Sequence, residues 1–200
     1  MNKYIIKKIK AAPDEADWEM ADIAMINLKP WEEGNPHFNS YAQLLYDDEA
    51  IYVRMVTDEM PVVAKQTKRN SIVCTDSCME FFLNPNTNNP LYFNFEVNAL
   101  GTFLIAVGTQ RNDRIFCMDD EKQFKIEPQL CENGWQISYK IPFGFIRKYT
   151  GECTYLMKGN FYKCGDKTGH RHFGVWNMIK TQTPDFHQSE YFGELLFENK

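Results

Sequence analysis

The 200-residue sequence has no apolar run long enough to form a membrane-spanning helix. It also has no glycine-rich phosphate loop, no Gly-x-Ser-x-Gly elbow, no His-Glu-x-x-His pair and no EF-hand spacing. These absences weigh against nucleotide chemistry, serine hydrolysis and the common metalloprotease reactions, because each of those needs its groups at fixed offsets. Basic residues are in the minority: 22 Lys and Arg stand against 27 Asp and Glu, a net charge of -5. Phosphate backbones and anionic membranes are bound by basic surfaces, so neither is an expected partner. The only apolar piece near the start, Tyr4-Ile5-Ile6, is too short for a signal-peptide core. A cytoplasmic protein is therefore expected, unless a leader has been removed. The six cysteines, at 74, 78, 117, 131, 153 and 164, include one close pair but no second pair at zinc-site spacing. Reduced thiols are the expectation for a chain of this length. No repeat, low-complexity segment or linker interrupts residues 1–200, which read as one domain.

Aromatic residues are plentiful at 14%, with 15 Phe, 10 Tyr and 4 Trp, as in a β-rich core. Lys3 to Lys10 reads as an edge strand guarded by lysine. Asp14 to Ile26 has helical spacing at Trp18, Ala21 and Met25. A loop carrying Trp31 and His37 follows, either a binding loop or a lid on the core. Tyr41–Tyr46 and Ala50–Val56 read as a hairpin around an acidic turn. Phe124–Leu130 and Trp135–Ile141 pair through Glu132-Asn133-Gly134, and the stretch after Pro142 holds a helical turn. Three further strands are expected at 154–162, 172–177 and 192–197. About ten short strands with little helix predict an all-β fold, an antiparallel β-sandwich or jelly roll.

The stretch from Cys78 to Thr109 is the most informative. Two apolar-rich runs flank a loop of Asn, Pro and Thr. In the second run Phe93, Phe95, Val97 and Ala99 share one face and Tyr92, Asn94, Glu96 and Asn98 the other. Glu80 adds a carboxylate on the first run. Acids and amides in a row across strands suit a polyhydroxylated ligand or a cation. Two facing carboxylates, Glu80 and Glu96, also match a glycosidase acid/base pair, or the partners of a cation, Arg or Lys. Trp176-Asn177 and the loop 183–187, with His187, have the makings of a sugar platform: an indole for the apolar face of a pyranose, with polar neighbours for its hydroxyls. By parity Trp176 goes with His172 and Gly174, opposite Phe173 and Val175, a phase that favours the face away from the core. His170 and His172, near Cys164 and Asp166, are either zinc ligands or solvated imidazoles at a hairpin end. Haem held by a His and a Met is a further possibility without specific support.

These residues resemble family 9 carbohydrate-binding modules, in the family 9-like, DOMON-related branch found as stand-alone proteins in Bacteroidetes. Asp76-Ser77-Cys78-Met79-Glu80-Phe81-Phe82 is similar to the family's Asp-Ser-Val-Glu-Ile-Phe segment, and residues 93–102 to the strand that follows. Gly134-Trp135 through Ile141-Pro142, Gly159-Asn160-Phe161-Tyr162, and Trp176 with Phe192-Gly193 resemble later motifs in the same order. The resemblance covers most of the chain from about residue 40 and implies a β-sandwich, often with structural calcium. It implies non-catalytic binding of a sugar or oligosaccharide in polysaccharide utilisation, the sugar clamped between two Trp. Trp176 would be one clamp, and Glu80, Glu96 and Asn98 would read hydroxyls, with Asn177 and His187 adding hydrogen bonds. The family has Arg where Glu96 stands, and the second clamp position falls at Val73 or Cys74, leaving Trp31, Tyr92 or His187 to substitute. Candidates for calcium are the loop acids Asp47, Asp48, Glu49, Asp119, Asp120 and Glu121. A glycoside hydrolase using Glu80 and Glu96, a metal- or haem-binding relative, and a protein-interaction domain are the alternatives.

Overall fold

A computed structural model describes residues 1–31 and 38–198. His37 and the rest of the 32–37 segment lie outside the described residues. In chain order the strands and helices are β1 (Lys3–Lys8), α1 (Glu15–Met20), β2 (Ala24–Met25), β3 (Ser40–Tyr46), β4 (Ala50–Thr57), β5 (Cys78–Asn84), β6 (Tyr92–Asn98), β7 (Phe103–Gly108) and β8 (Ile115–Phe116). They continue with β9 (Glu127–Cys131), β10 (Gly134–Pro142), α2 (Phe143–Thr150), β11 (Leu156–Cys164), β12 (Phe173–Val175) and β13 (Gly193–Phe197).

The all-β class holds: among the described residues α-helix is confined to α1 and α2, with three short 3-10 turns besides. Among the described residues there are thirteen strands in one hydrogen-bonded sheet, eleven of them on the path β8-β7-β6-β5-β11-β13-β1-β3-β4-β10-β9, with β12 beside β11 and β2 beside β3. The count exceeds the expected ten for two reasons. β2 and β8 are two residues long, too short for a period to show. The sequence reads as one run through residues 92–109, but a turn at 98–102 separates β6 from β7, with Gly101 at φ 80°. The sheet is mixed rather than antiparallel. β1 runs parallel to β13 through Lys3–Ile6 and parallel to β3 through Lys7 and Lys8. It is therefore an internal strand, not a guarded edge, and its lysines pair with Glu194, Asp22 and Asp48. A strand that leaves one partner for another halfway along hands the path from one layer to the other.

The two layers enclose one core. Phe81, Phe93, Phe95 and Phe161 point inward from one layer, and Leu44, Val53, Met55 and Ile137 from the other. Phe95 and Tyr139 touch across the gap, with ring centroids 6.2 Å apart. Local signals place the ends of elements. Asp14 caps α1 in a reciprocal capping box with Asp17. Asp47 Oδ1 accepts the Glu49 and Ala50 amides and closes the β3–β4 hairpin. Gly134 at φ 135° lies so close to the Thr57 backbone that no Cβ would fit.

Among the described residues no helix is long and apolar enough to cross a membrane, and all six cysteines are free.

Candidate functional site

The outer face of the β5–β6–β11 layer is as buried as the inner one. Its residues sit in register across the strands: Leu104 opposite Glu96, Glu96 opposite Glu80, Glu80 opposite Tyr162, and Tyr162 opposite Val175. A second apolar cluster, including Phe82, Tyr92, Tyr162, Phe173, Phe186 and Phe192, packs on this face. Loops from residues 70–74, 109–116, 165–171 and 184–187 rise around Glu80 and Glu96 and leave a cleft of about 340 Å³ above them. That volume falls at the small end of ligand sites.

The floor is electrostatically unusual. Glu80 is 2% exposed and its Oε1 has no hydrogen-bond partner. Burial, then the neighbouring Glu96, push its carboxyl well above the ordinary range, against the pull of Arg111. Burial also raises Glu96, opposed by Arg114 and by the Asn94 amide, which donates to Oε1 at 2.7 Å. Cross-strand carboxyls so placed share a site that disfavours two negative charges. In the walls, Arg111 pairs with Asp185 at 2.6 Å and Arg171 with Asp166 at 2.8 Å. Partial burial works against ionisation of Asp185, but hydrogen bonds from Arg111, the His187 amide and Gln188 outweigh it and hold the carboxyl below its ordinary range. His187 Nδ1 lies 2.9 Å from the Tyr92 hydroxyl. Burial, then Arg114 and Arg111, lower the His187 pKa to about 3, so the imidazole is neutral at physiological pH. The rim is apolar on one side: Ile72 is 64% and Phe116 51% exposed, and both line the cleft.

The structure thus brings together Glu80, Glu96 and His187, with Tyr92 fully buried behind the imidazole. It moves the other expected residues elsewhere. Trp176 is 6% exposed and belongs to the inner core, its ring 5.5 Å from Phe161. A Cβ at Gly193 would collide with that ring. The parity argument fails because Phe173 and Val175 face the outer apolar cluster, so the opposite phase points inward. Asn98 closes the β6–β7 turn: its Oδ1 accepts the Leu100 and Thr102 amides, and its Nδ2 bonds Gln66 O and Asp76. Asn177 ties the chain ends together, accepting the Asn2 amide and donating to Tyr191 O. Trp31 lies behind the cleft wall against Phe173 and Phe186, its indole N–H on Thr181. At the expected second clamp position Val73 is buried and Cys74 lines the cleft, while the exposed side chain is that of Ile72.

His172 fits neither the zinc reading nor the solvated one: it is buried, with Nε2 2.9 Å from Lys163 Nζ and Nδ1 2.6 Å from His170 O, and no group of three metal-binding side chains occurs among the described residues. Of the acids considered for calcium, Asp47 accepts two amides and the Tyr52 hydroxyl, Asp48 pairs with Lys8, Asp119 with Lys148 and Tyr149, and Asp120 caps a short helical turn. In this structure these four serve as turn acceptors and ion-pair partners.

Arg111, Arg114, Phe116 and Ile72 were not singled out from the sequence, whereas Asp185 belongs to the 183–187 loop that was. The one available signal was the charged loop beginning at Gln110, since buried carboxylates need nearby cations.

The sequence model described as carbohydrate-binding family 9 matches residues 10–197. No curated protein matches the chain significantly. Among solved structures, a proposed carbohydrate-binding protein from Bacteroides uniformis superposes with a TM-score of 0.86 at 25% identity, covering 98% of this chain and 99% of that one. A family 9 carbohydrate-binding module from Caldicellulosiruptor kristjanssonii in complex with cellotriose superposes at 0.67 with 15% identity, covering 100% and 95%. The same kind of module in complex with glucose gives 0.67 at 14% identity, covering 100% and 97%.

Proposed function

This chain belongs to carbohydrate-binding family 9, and from that premise we propose that it binds a short saccharide, without turning it over, in the cleft above Glu80 and Glu96. The observation that carries the reading is one cavity joining buried carboxyls, arginines and a neutral imidazole to an exposed ring. Sugars present hydroxyls around an apolar C–H face and need both kinds of surface at once. Phe116 takes the stacking role first assigned to Trp176, and Ile72 closes the same rim. Glu80, Glu96 and His187 read hydroxyls, and Tyr92 orients the imidazole. One ring and a few hydrogen bonds give affinities on the order of micromolar to millimolar. Such binding fits a role in polysaccharide utilisation.

The placement of Glu80 directly opposite Glu96 favours a second reading, glycoside hydrolysis with Glu80 as the acid. Calorimetry against mono- and oligosaccharides, with and without calcium, combined with chromatography of the incubated sugar, separates the two. Saturable binding of unchanged sugar is expected. Phe116→Ala is expected to weaken it several-fold while changing stability by no more than about 0.5 kcal/mol, as at an exposed position. Silence across the panel overturns the saccharide reading and leaves the interaction-domain alternative. Shortened products would establish the hydrolase.

A further inference from the structure

Each arginine lining the cleft already has an acid. Arg111 holds Asp185, Arg171 holds Asp166, and Arg114 reaches Glu96 at 3.4 Å. Glu80 is the fourth acid in the lining, and no cationic side chain lies within ion-pair distance of it among the described residues. With His187 neutral, full ionisation would leave one uncompensated negative charge, and it would fall on Glu80. The hydrogen bonding points the same way. Glu80 Oε1 and Asn94 Oδ1, both on this face and both buried, accept nothing. Buried acceptors without donors are rare in finished interiors and mark a place where a donor arrives from elsewhere. The floor is short of donors and short of one positive charge.

We propose that the ligand is an amino sugar, with its ammonium seated on Glu80 beside Glu96. This rests on the saccharide-binding reading above and names the class of sugar. An ammonium is a compact cation with three donors, matching both deficits together. A neutral sugar supplies donors but no charge. A uronic acid brings another carboxylate to two buried carboxyls, and finds its arginines taken.

The empty and filled sites then differ in protonation. In the empty cleft burial and the neighbouring Glu96 favour the protonated form of Glu80. The arriving ammonium supplies that cation, so the proton passes to solvent and the carboxylate accepts the N–H bonds. The other groups facing Glu80 do not exchange protons near neutrality. Burial raises the Cys74, Cys78 and Cys164 thiols and the Tyr162 hydroxyl. From the loops, Asp185 stays ionised and His187 neutral, while Arg111 remains charged. The Glu80–Glu96 pair is left as the proton source.

The test is calorimetry on the full chain at about pH 6.5, where a sugar amine is protonated. The probes are glucosamine and its β-1,4 dimer, with glucose, N-acetylglucosamine and glucuronate alongside. Roughly tenfold or tighter binding of the amino sugars than of glucose is expected, the usual gain of a charge-assisted over a neutral hydrogen bond. Repeating the titration in buffers of low and high ionisation enthalpy is expected to show proton release for the amino sugars and none for glucose. This readout needs no variant. In Glu80→Gln the amino-sugar preference and the proton release are both expected to vanish. Equal affinity for glucose and glucosamine, or tighter glucuronate, overturns the inference and leaves saccharide binding standing. If no sugar binds at all, both fall.

Discussion

Two buried glutamates at the same 2% exposure show opposite solutions to one problem. Glu59 lies deep among other side chains, and every oxygen is used. Its Oε2 accepts Lys163 Nζ at 2.9 Å and Trp135 Nε1 at 3.0 Å, and its Oε1 accepts Ser77 Oγ at 2.9 Å. Lys163 in turn donates to Cys164 O and contacts His172. Glu80 faces a cleft, opposes another carboxyl and keeps one oxygen empty. A buried charge with a complete set of partners is architecture, because the fold itself repays its desolvation. A buried carboxyl left incomplete toward a cavity costs stability that only a ligand can return.

The largest expected effect comes from breaking the complete set. Glu59→Leu strands the Lys163 ammonium and should cost about 3–5 kcal/mol, as for removal of one partner of a buried pair. Urea unfolding measures it, and a loss below about 1 kcal/mol would show that the network is not held together by charge. Close behind is Trp176→Ala, expected to cost about 3–5 kcal/mol as a core truncation. Sugar affinity per folded molecule should be unchanged. Weakened binding with an unaltered melting curve would return Trp176 to the site.

The smallest effect carries the sharpest contrast and has the opposite sign. Burial raises the Glu80 carboxyl above its unfolded value, so between those two values the folded state binds more protons than the unfolded one. Its contribution is most favourable at acid pH and is lost as pH rises through the folded value. Glu80→Gln removes that loss. The variant should therefore melt higher than the parent near pH 8, with the advantage shrinking toward pH 4, in a series of thermal scans. A variant that melts lower at every pH would place Glu80 among the structural residues, with Glu59.

Much of the site's floor was legible before any coordinates. The alternation through β6 separates Phe93, Phe95 and Val97 from Tyr92, Glu96 and Asn98 because side chains on a strand repeat every two residues. Adjacency across the Asn-rich loop then brings Glu80 opposite Glu96. The same rule misled at Trp176. Parity says which residues share a face but not which face is the interior, and here both faces of β12 are covered. Asn98 and Asn177 were misread for a related reason: a polar side chain at a strand end serves a backbone turn as readily as a ligand. Of the cleft walls only the 183–187 loop was legible. Its pairing with Arg111 was not, because Arg111 and Asp185 are 74 residues apart and no local pattern joins them.

By itself, then, the sequence determined the all-β class, the family and the pair of acids on one strand face, since these follow from local period, turn chemistry and motif order. Tertiary structure alone decided that this face is roofed over, which arginines neutralise which acids, and that Glu80 is the one left without a cationic partner. Burial and charge pairing depend on distances between segments far apart in the chain, and no periodicity along the chain records them.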